Sequence, residues 1–162
     1  MSLSNHINPD HFLDMSGNVT LTSEDVVAAW ELAYEAMERQ LRAVGPHATL
    51  YVVFGLQGAG KTTWVEQNAH RFGPDAVFLD GPLPSRTKRT RAVVLAKSMG
   101  RKVVAVWLNT PFDVALAQNA TRTGLACIRE EAIRHVYDQL EPPSIEEGFD
   151  QIMEINICQE QA

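Results

Sequence analysis

The loop that follows the apolar run 50–54 has residue types and a spacing suited to holding phosphate. Its sequence, Gly55-Leu56-Gln57-Gly58-Ala59-Gly60-Lys61-Thr62, matches G-x-x-x-x-G-K-[ST] at every fixed position. Glycines let the backbone curl so that successive N–H groups point inward, and the helix that follows adds partial positive charge. Lys61 is expected to reach the β- and γ-phosphates, and Thr62 to place its hydroxyl on Mg²⁺. The pattern therefore predicts a site for a nucleoside triphosphate with Mg²⁺.

The expected contacts with ATP come from this loop and the residues just after it. They are Gly55, Gln57, Gly58, Ala59, Gly60, Lys61, Thr62 and Thr63. The motif alone does not separate kinases from GTPases, ATP motors or molecular switches.

An acid ends the next apolar run of the chain. Asp80 closes residues 76–80, and a parallel sheet binds ligands at the carboxyl ends of its strands. Asp80 is therefore predicted to order Mg²⁺ or its water, together with Thr62. Two alternatives stay open: Asp80 accepts a proton from a substrate hydroxyl, or it only begins the turn at Gly81.

Four cations fall within six residues of an otherwise acidic chain. Arg86, Lys88, Arg89 and Arg91 begin a predicted helix, where the helix dipole disfavours positive charge. An anionic partner would ease that cost, so Arg86 and Arg89 are predicted to face the acceptor substrate. The alternative is a solvated helix face.

Another arginine lies between two predicted helices. Arg122 stands in the segment 119–124, Asn-Ala-Thr-Arg-Thr-Gly. A lid there could swing Arg122 onto the transferring phosphoryl group, where a cation spreads the charge of the transition state. The alternative is a surface arginine. Arg129 and Arg134 are weaker candidates, and the histidines are predicted to have no role.

These residues need an alternating scaffold to bring them together. Residues 1–20 are predicted to form a flexible arm, and Thr22 begins a helix with Asp25 three residues on, as in a capping box. Apolar strands then alternate with helices, at about 50–54, 76–80, 103–108 and 151–157. This alternation predicts an α/β fold for a single domain, 21–162, with a parallel sheet of about four to five strands and helices on both faces.

Composition and charge exclude several classes of protein. The chain has 162 residues and a net charge of −6, which argues against a surface that binds nucleic acid throughout, although a local basic groove stays possible. The apolar runs are shorter than the roughly 20 residues of a membrane span. With no secretion-signal pattern, and with Cys127 and Cys158 far apart, the expectation is a cytoplasmic protein with reduced thiols.

The order of the motifs carries a family resemblance. After the loop and Asp80 come residues 109–111 (Asn-Thr-Pro), 118–122 (Gln-Asn-Ala-Thr-Arg) and 140–150 (Leu-Glu-Pro-Pro-Ser-Ile-Glu-Glu-Gly-Phe-Asp). Over about residues 49–157 this order resembles the P-loop kinases of the polynucleotide-kinase-like family, which are related to zeta-toxin-like kinases. The resemblance implies the three-layer sandwich of P-loop NTPases and a kinase that uses ATP and Mg²⁺.

The resemblance also implies roles for particular residues. The family's phosphate-loop lysine and hydroxyl correspond to Lys61 and Thr62, its strand-end acid to Asp80 and its lid arginine to Arg122. The chain departs from the family at Gln118, where the lid has its leading arginine.

A second departure concerns the acceptor side. Only about eighteen residues separate Thr62 from Asp80, whereas the family has an extra strand there that ends in its general-base aspartate, followed by a substrate-binding helix. Three alternatives stay open: Asp80 replaces both acids, the N-terminal helix rebuilds the acceptor site, or the protein binds nucleotide without transferring phosphate.

The sequence supports three functional hypotheses. The first is an ATP-dependent kinase with Lys61, Asp80 and Arg122 as its catalytic residues, acting on a hydroxyl of a small molecule or on a polynucleotide 5′ end. The second is a nucleotide-binding regulatory protein with a degenerate kinase site, favoured by Gln118 and the short spacing before Asp80. The third is a simple NTPase.

Overall fold

The computed structural model describes residues 5–124 and 127–156, and its centre is a sheet of five parallel strands. The strands are β1 (His6–Ile7), β2 (Thr49–Phe54), β3 (Ala76–Gly81), β4 (Lys102–Asn109) and β5 (Gln151–Asn156). Their order across the sheet is β1-β3-β2-β4-β5, and every neighbouring pair is parallel. This confirms the predicted α/β fold and places β2, the strand before the predicted phosphate loop (residues 55–62, called the phosphate loop below), at the centre.

Five α-helices surround the sheet in the described residues. They are α1 (Ser23–Val44), α2 (Lys61–Asn68), α3 (Arg86–Ser98), α4 (Phe112–Ala120) and α5 (Glu130–Gln139). Short 3₁₀ helices lie at Pro9–Phe12, Ala69–Phe72 and Ile145–Glu147. Among the described helices, none is both long enough and apolar enough to cross a bilayer.

The helices cover both faces of the sheet because the central strands alternate their apolar side chains between them. Residues of β2 such as Leu50 and Val52 pack with α1 and α3, for example with Met37 and Ala92. Val53, one position along β2, instead packs with α2, α4 and α5. Strands buried on both faces are typical of parallel sheets, and the predicted three layers are confirmed.

Local capping signals define the start of α1. The Asp25 N–H donates to Thr22 Oγ1 at 3.1 Å, and the Thr22 N–H donates to Asp25 Oδ2 at 2.8 Å, so the predicted capping box is present. The start of α4 has no comparable cap. Pro111 precedes the helix without a side-chain cap, and the buried Thr110 hydroxyl instead donates to the Ala59 carbonyl at 3.4 Å.

The N-terminal segment differs from the predicted flexible arm. His6 and Ile7 form β1, which pairs with Phe78 and Leu79 of β3, and the Phe78 N–H donates to the Asn5 carbonyl at 2.7 Å. β3 is buried along all six residues, so its outer edge needs a hydrogen-bonding neighbour. A two-residue strand has no hydrophobic period, and the sequence therefore contains no signal for it.

The late Glu-Gly-Phe-Asp stretch holds the C-terminal part of the sheet in place. Glu147 binds the Arg89 guanidinium through both carboxylate oxygens, at 2.8 and 3.0 Å. Phe149 is buried in the core, and Asp150 Oδ2 accepts hydrogen bonds from the Lys97 ammonium at 2.6 Å and the Val103 N–H at 2.9 Å. In this chain the motif ties α3 to the start of β4 and β5.

The Arg89–Glu147 pair predicts a large loss of stability for Arg89→Met. The Arg89 side chain is fully buried and that of Glu147 is 4% exposed, so removing the cation leaves a buried carboxylate unpaired. The free energy of unfolding, measured by urea denaturation, should fall by about 3–5 kcal/mol. Arg91→Met, which breaks a half-exposed pair with Glu31, is the control and should change stability far less. Equal losses would contradict this account.

The contacts of Asp150 predict a pH-dependent contribution to stability. Hydrogen bonds from Lys97 and from the Val103 N–H hold the pKa of Asp150 below its ordinary value of 3.8. A folded-state pKa below the unfolded one stabilises the fold above pH 3.8 and loses that effect as pH falls through the lowered value. Asp150→Asn should therefore be less stable than the unaltered protein at pH 6, with the gap closing below about pH 4. A gap of constant size down to pH 2 would contradict the assignment.

Candidate active site

The phosphate loop between β2 and α2 has a backbone that depends on glycine. Gly58 and Gly60 have φ values of +86° and +92°, in the left-handed region that favours glycine. A Cβ at Gly58 would also lie 2.4 Å from the Ala115 carbonyl oxygen of α4. The loop thus curls against α4, and the first N–H groups of α2 have no partner within their own helix. A backbone of this shape is suited to an anion.

Lys61 begins α2 and lies beneath the loop. Its side chain is buried, and its ammonium donates to the carbonyls of Gly55 at 3.1 Å and Leu56 at 2.8 Å. Burial lowers its pKa most, the negative charge of Asp80 opposes that shift, and Arg122 and Asp10 add smaller effects that lower and raise it, so that the net pKa is about 8. Lys61 therefore stays mainly charged at neutral pH, in a position to meet an anion held by the loop.

Asp80 connects the loop to β3 and to the N-terminal strand. The Thr62 hydroxyl donates to Asp80 Oδ2 at 2.7 Å, and His6 Nε2 lies 3.0 Å from the same oxygen. Burial would raise the pKa of Asp80, but the His6 hydrogen bond, the charge of Lys61 and the Thr62 hydroxyl together hold it below its usual range. No partner is predicted for the histidines from the sequence, and the structure provides Asp80 as a partner for His6.

The remaining residues of the predicted phosphate site differ in their exposure. Ala59 is buried, Thr63 is exposed in the first turn of α2, and Gln57 is half-buried. Two buried oxygens, Gln57 Oε1 and Asp80 Oδ1, have no hydrogen-bond partner in the described part of the chain. Oxygens of this kind are ligands that Mg²⁺ and its waters prefer, so the residues present fit the predicted ion.

The segment after α4 is anchored by Asn119. Its side-chain amide donates to the Ile128 carbonyl at 2.6 Å and accepts from the Ile128 N–H at 2.8 Å. Arg122 is exposed within this segment and faces the same cavity as Lys61. Arg129 and Arg134 do not line that cavity and pair with Glu131 and Glu130 on the surface.

A cavity of about 350 Å³ opens beside the loop. One end is polar and includes Lys61, Thr62, Asp80 and Arg122, while the other is mainly apolar. The lining residues are Asn8, Pro9, Asp10, Leu13, Met15, Leu21, Val26, Trp30, Gln57, Lys61, Thr62, Asp80, Gly81, Pro82, Arg122 and Ile128. The sequence contains no local signal that places Asp10 in this cavity, because only the pairing of β1 with β3 brings the N-terminal segment here.

The predicted contact of Arg89 with an acceptor is wrong. Arg89 is buried against Glu147 and donates to the carbonyls of Leu83 and Pro84 at 3.1 and 3.0 Å, so its guanidinium is fully engaged by the protein. Arg86 is half-exposed, lies 3.7 Å from Glu146, and is not among the described residues that line the cavity. At least one cation of this cluster, Arg89, therefore stabilises the fold.

Comparisons with known proteins leave the family open. The sequence matches no protein-family model and no curated protein. Among solved structures, an unliganded sugar kinase from Janibacter sp. aligns over 72% of this chain and 90% of its own, with 16% identity and a TM-score of 0.48. At this level of similarity the neighbour carries no information about the reaction of this chain.

The contact between the loop and α4 predicts unequal costs for two glycine substitutions. Gly60→Ala, at φ +92° and ψ 25° with nothing within 4 Å, should lower the free energy of unfolding by about 1–2 kcal/mol from backbone strain alone. Gly58→Ala combines the same strain with the clash at Ala115, which should add about 1–3 kcal/mol. Urea denaturation of both variants measures the difference. Equal losses would show that the loop does not press on α4.

Proposed function

We propose that this protein is a kinase that transfers the γ-phosphoryl group of ATP to a hydroxyl. The observation that carries the proposal is the Thr62–Asp80 hydrogen bond of 2.7 Å, which joins the phosphate loop to an acid at the carboxyl end of the adjacent strand. Phosphoryl transfer requires phosphate positioning and charge stabilisation at one place, and this contact brings the groups for both together.

Each residue has a distinct task in this proposal. The loop N–H groups and the α2 N-terminus hold phosphate oxygens, and Lys61 places its charge on the terminal phosphates. Thr62 and Asp80 hold Mg²⁺, which supplies neutralisation of the charge on the phosphates. Arg122, on the segment anchored by Asn119, stabilises the transferring group.

The proposed function includes a kinase family and a cellular location. The order of motifs supports a compact member of the polynucleotide-kinase-like and zeta-toxin-like kinases, formed by a single domain whose sheet extends beyond the predicted bounds of 21–162 to include β1. Expected placement is cytoplasmic, where ATP is available. The Glu-Gly-Phe-Asp stretch at 147–150 is one of the motifs that carry the family resemblance. Its Glu147 and Asp150 make specific contacts with α3 and β4, which supports the family assignment.

A transfer assay with labelled ATP tests the proposal. With Mg²⁺ and a panel of hydroxyl acceptors, Lys61→Ala should abolish transfer. Arg122→Ala should slow transfer by about 10³-fold while ATP affinity changes little, since its contact forms in the transition state. Arg129→Ala is a matched control, because Arg129 is also exposed but pairs with Glu131 outside the cavity, and it should keep full activity.

Other outcomes of the assay favour the alternatives. Phosphate release without an acceptor, abolished by Lys61→Ala, would identify a simple NTPase. ATP binding without turnover under any condition would overturn both enzyme readings and leave a nucleotide-binding regulator.

A further inference from the structure

The cavity beside the loop has a second half, which lies away from the residues assigned to phosphate. The 3₁₀ helix Pro9–Phe12, its following residues and α1 form its wall, and the side chains there are mainly apolar. The wall includes Leu13, Met15, Leu21, Val26 and Trp30. The phosphate end and the apolar wall belong to one continuous space, so a molecule against the wall can reach a group held by Lys61.

Trp30 is fixed close to the reacting end of this space. A Cβ on Gly81 would lie 2.6 Å from the Trp30 ring, so the indole lies directly against the residue that follows Asp80. The ring also packs on Tyr34 with 5.6 Å between centroids. The wall therefore offers a positioned aromatic surface one residue away from the acid.

Asp10 is the carboxylate that the N-terminal segment adds to the cavity. Its N–H donates to the Asn8 side chain at 2.8 Å and its carbonyl accepts from the Leu13 N–H at 3.2 Å, so its backbone is held in the 3₁₀ helix. The charges of Lys61 and Arg122 act on it. Partial burial raises its pKa, and the negative charge of Asp80 adds to the shift, which makes it a better proton acceptor than a free aspartate.

We propose that the N-terminal segment forms the acceptor site, with Asp10 as the general base and the apolar wall as the binding surface for a small hydroxyl compound with an apolar or aromatic face. This proposal rests on the kinase function proposed above. It assigns a catalytic residue and a substrate class to the half of the cavity that faces away from the loop.

The step balances without a further reactant. The acceptor oxygen forms a bond to the γ-phosphorus, the bond from that phosphorus to the β,γ-bridging oxygen breaks, and ADP leaves with the electron pair. The hydroxyl proton passes to the Asp10 carboxylate and then to solvent. Asp80 stays ionised throughout, because its hydrogen bonds and the charge of Lys61 hold its pKa low.

Size and charge favour a small molecule over a polynucleotide. The volume of about 350 Å³ lies near the lower end of small-molecule pockets. Of the described residues that line the cavity, the lysines and arginines are Lys61 and Arg122, and both are engaged with the transferred phosphate in the proposed reaction. A nucleic-acid strand would need additional cations along its path.

A pair of aspartate variants tests the base. Asp10→Asn should lower kcat for transfer by about 10²–10⁴-fold and leave ATP affinity unchanged. Asp14→Asn is the matched control, because Asp14 lies on the same segment, binds Ser16 and does not line the cavity. Thermal unfolding of both variants separates loss of chemistry from loss of fold. Full activity of a folded Asp10→Asn protein would overturn the assignment.

A pair of valine variants tests the wall. Val26 and Val27 are consecutive exposed residues of α1, and Val26 alone of the two lines the cavity. Val26→Asn should raise the KM for the acceptor at least about fivefold without changing the KM for ATP. Val27→Asn should leave both values unchanged, and equal effects of the two substitutions would overturn the proposal.

Four probes test the acceptor class and separate it from the kinase function. They are 2-phenylethanol, thymidine, glucose and a ten-nucleotide oligothymidylate with a free 5′-hydroxyl. Faster transfer to the first two supports the proposal, whereas transfer to glucose or the oligonucleotide at an equal or higher rate overturns the acceptor class alone. No transfer to any hydroxyl by the unaltered protein overturns the proposed function, and the acceptor assignment with it.

Discussion

The hydrogen bonds that Asp80 shares with Thr62 and His6 are the constraint on which the site depends. Asp80 is fully buried, and a buried carboxylate is costly unless other groups compensate its charge. Here the compensation comes from separate parts of the chain: the N-terminal strand, the phosphate loop and the buried Lys61. Because all of them act on one side chain, the geometry of the loop and that of the N-terminal segment are linked through β3.

A second buried ion pair shows how the same chain uses charge for folding. The sequence places Arg89 at a helix start, where a cation is unfavourable. The structure resolves the anomaly within the protein, since Glu147, 58 residues away, neutralises the guanidinium. The Arg89 guanidinium also lies 4.5 Å from the centre of the Phe54 ring at the end of β2. The cation thus supports the strand that leads into the phosphate loop, and its effect on the site is indirect.

The sequence predicts those features whose signal is local. The phosphate loop, the acid of β3 and the capping box of α1 each lie within about eight consecutive residues, and their patterns state the backbone geometry directly. His6 and Asp10 were missed because their position depends on pairing with β3, more than 65 residues further along the chain. The prediction that Arg89 faces the acceptor is wrong because the sequence shows its charge but does not show that Glu147 is its partner.

The position of β1 explains how a short chain can complete a site of this kind. The segment that the resemblance places between the loop helix and the acid-ended strand is short here, and the strand beside β3 comes from the N-terminus. β1 forms only two register pairs with β3, against six for β2, so pairing alone holds it weakly. Two side-chain contacts add to the attachment of β1 to β3. They are the His6–Asp80 contact and the hydrogen bond from the Asn5 side chain to the Ala76 carbonyl. The N-terminal segment that lines the cavity is therefore held by the same acid that contacts Thr62 of the loop.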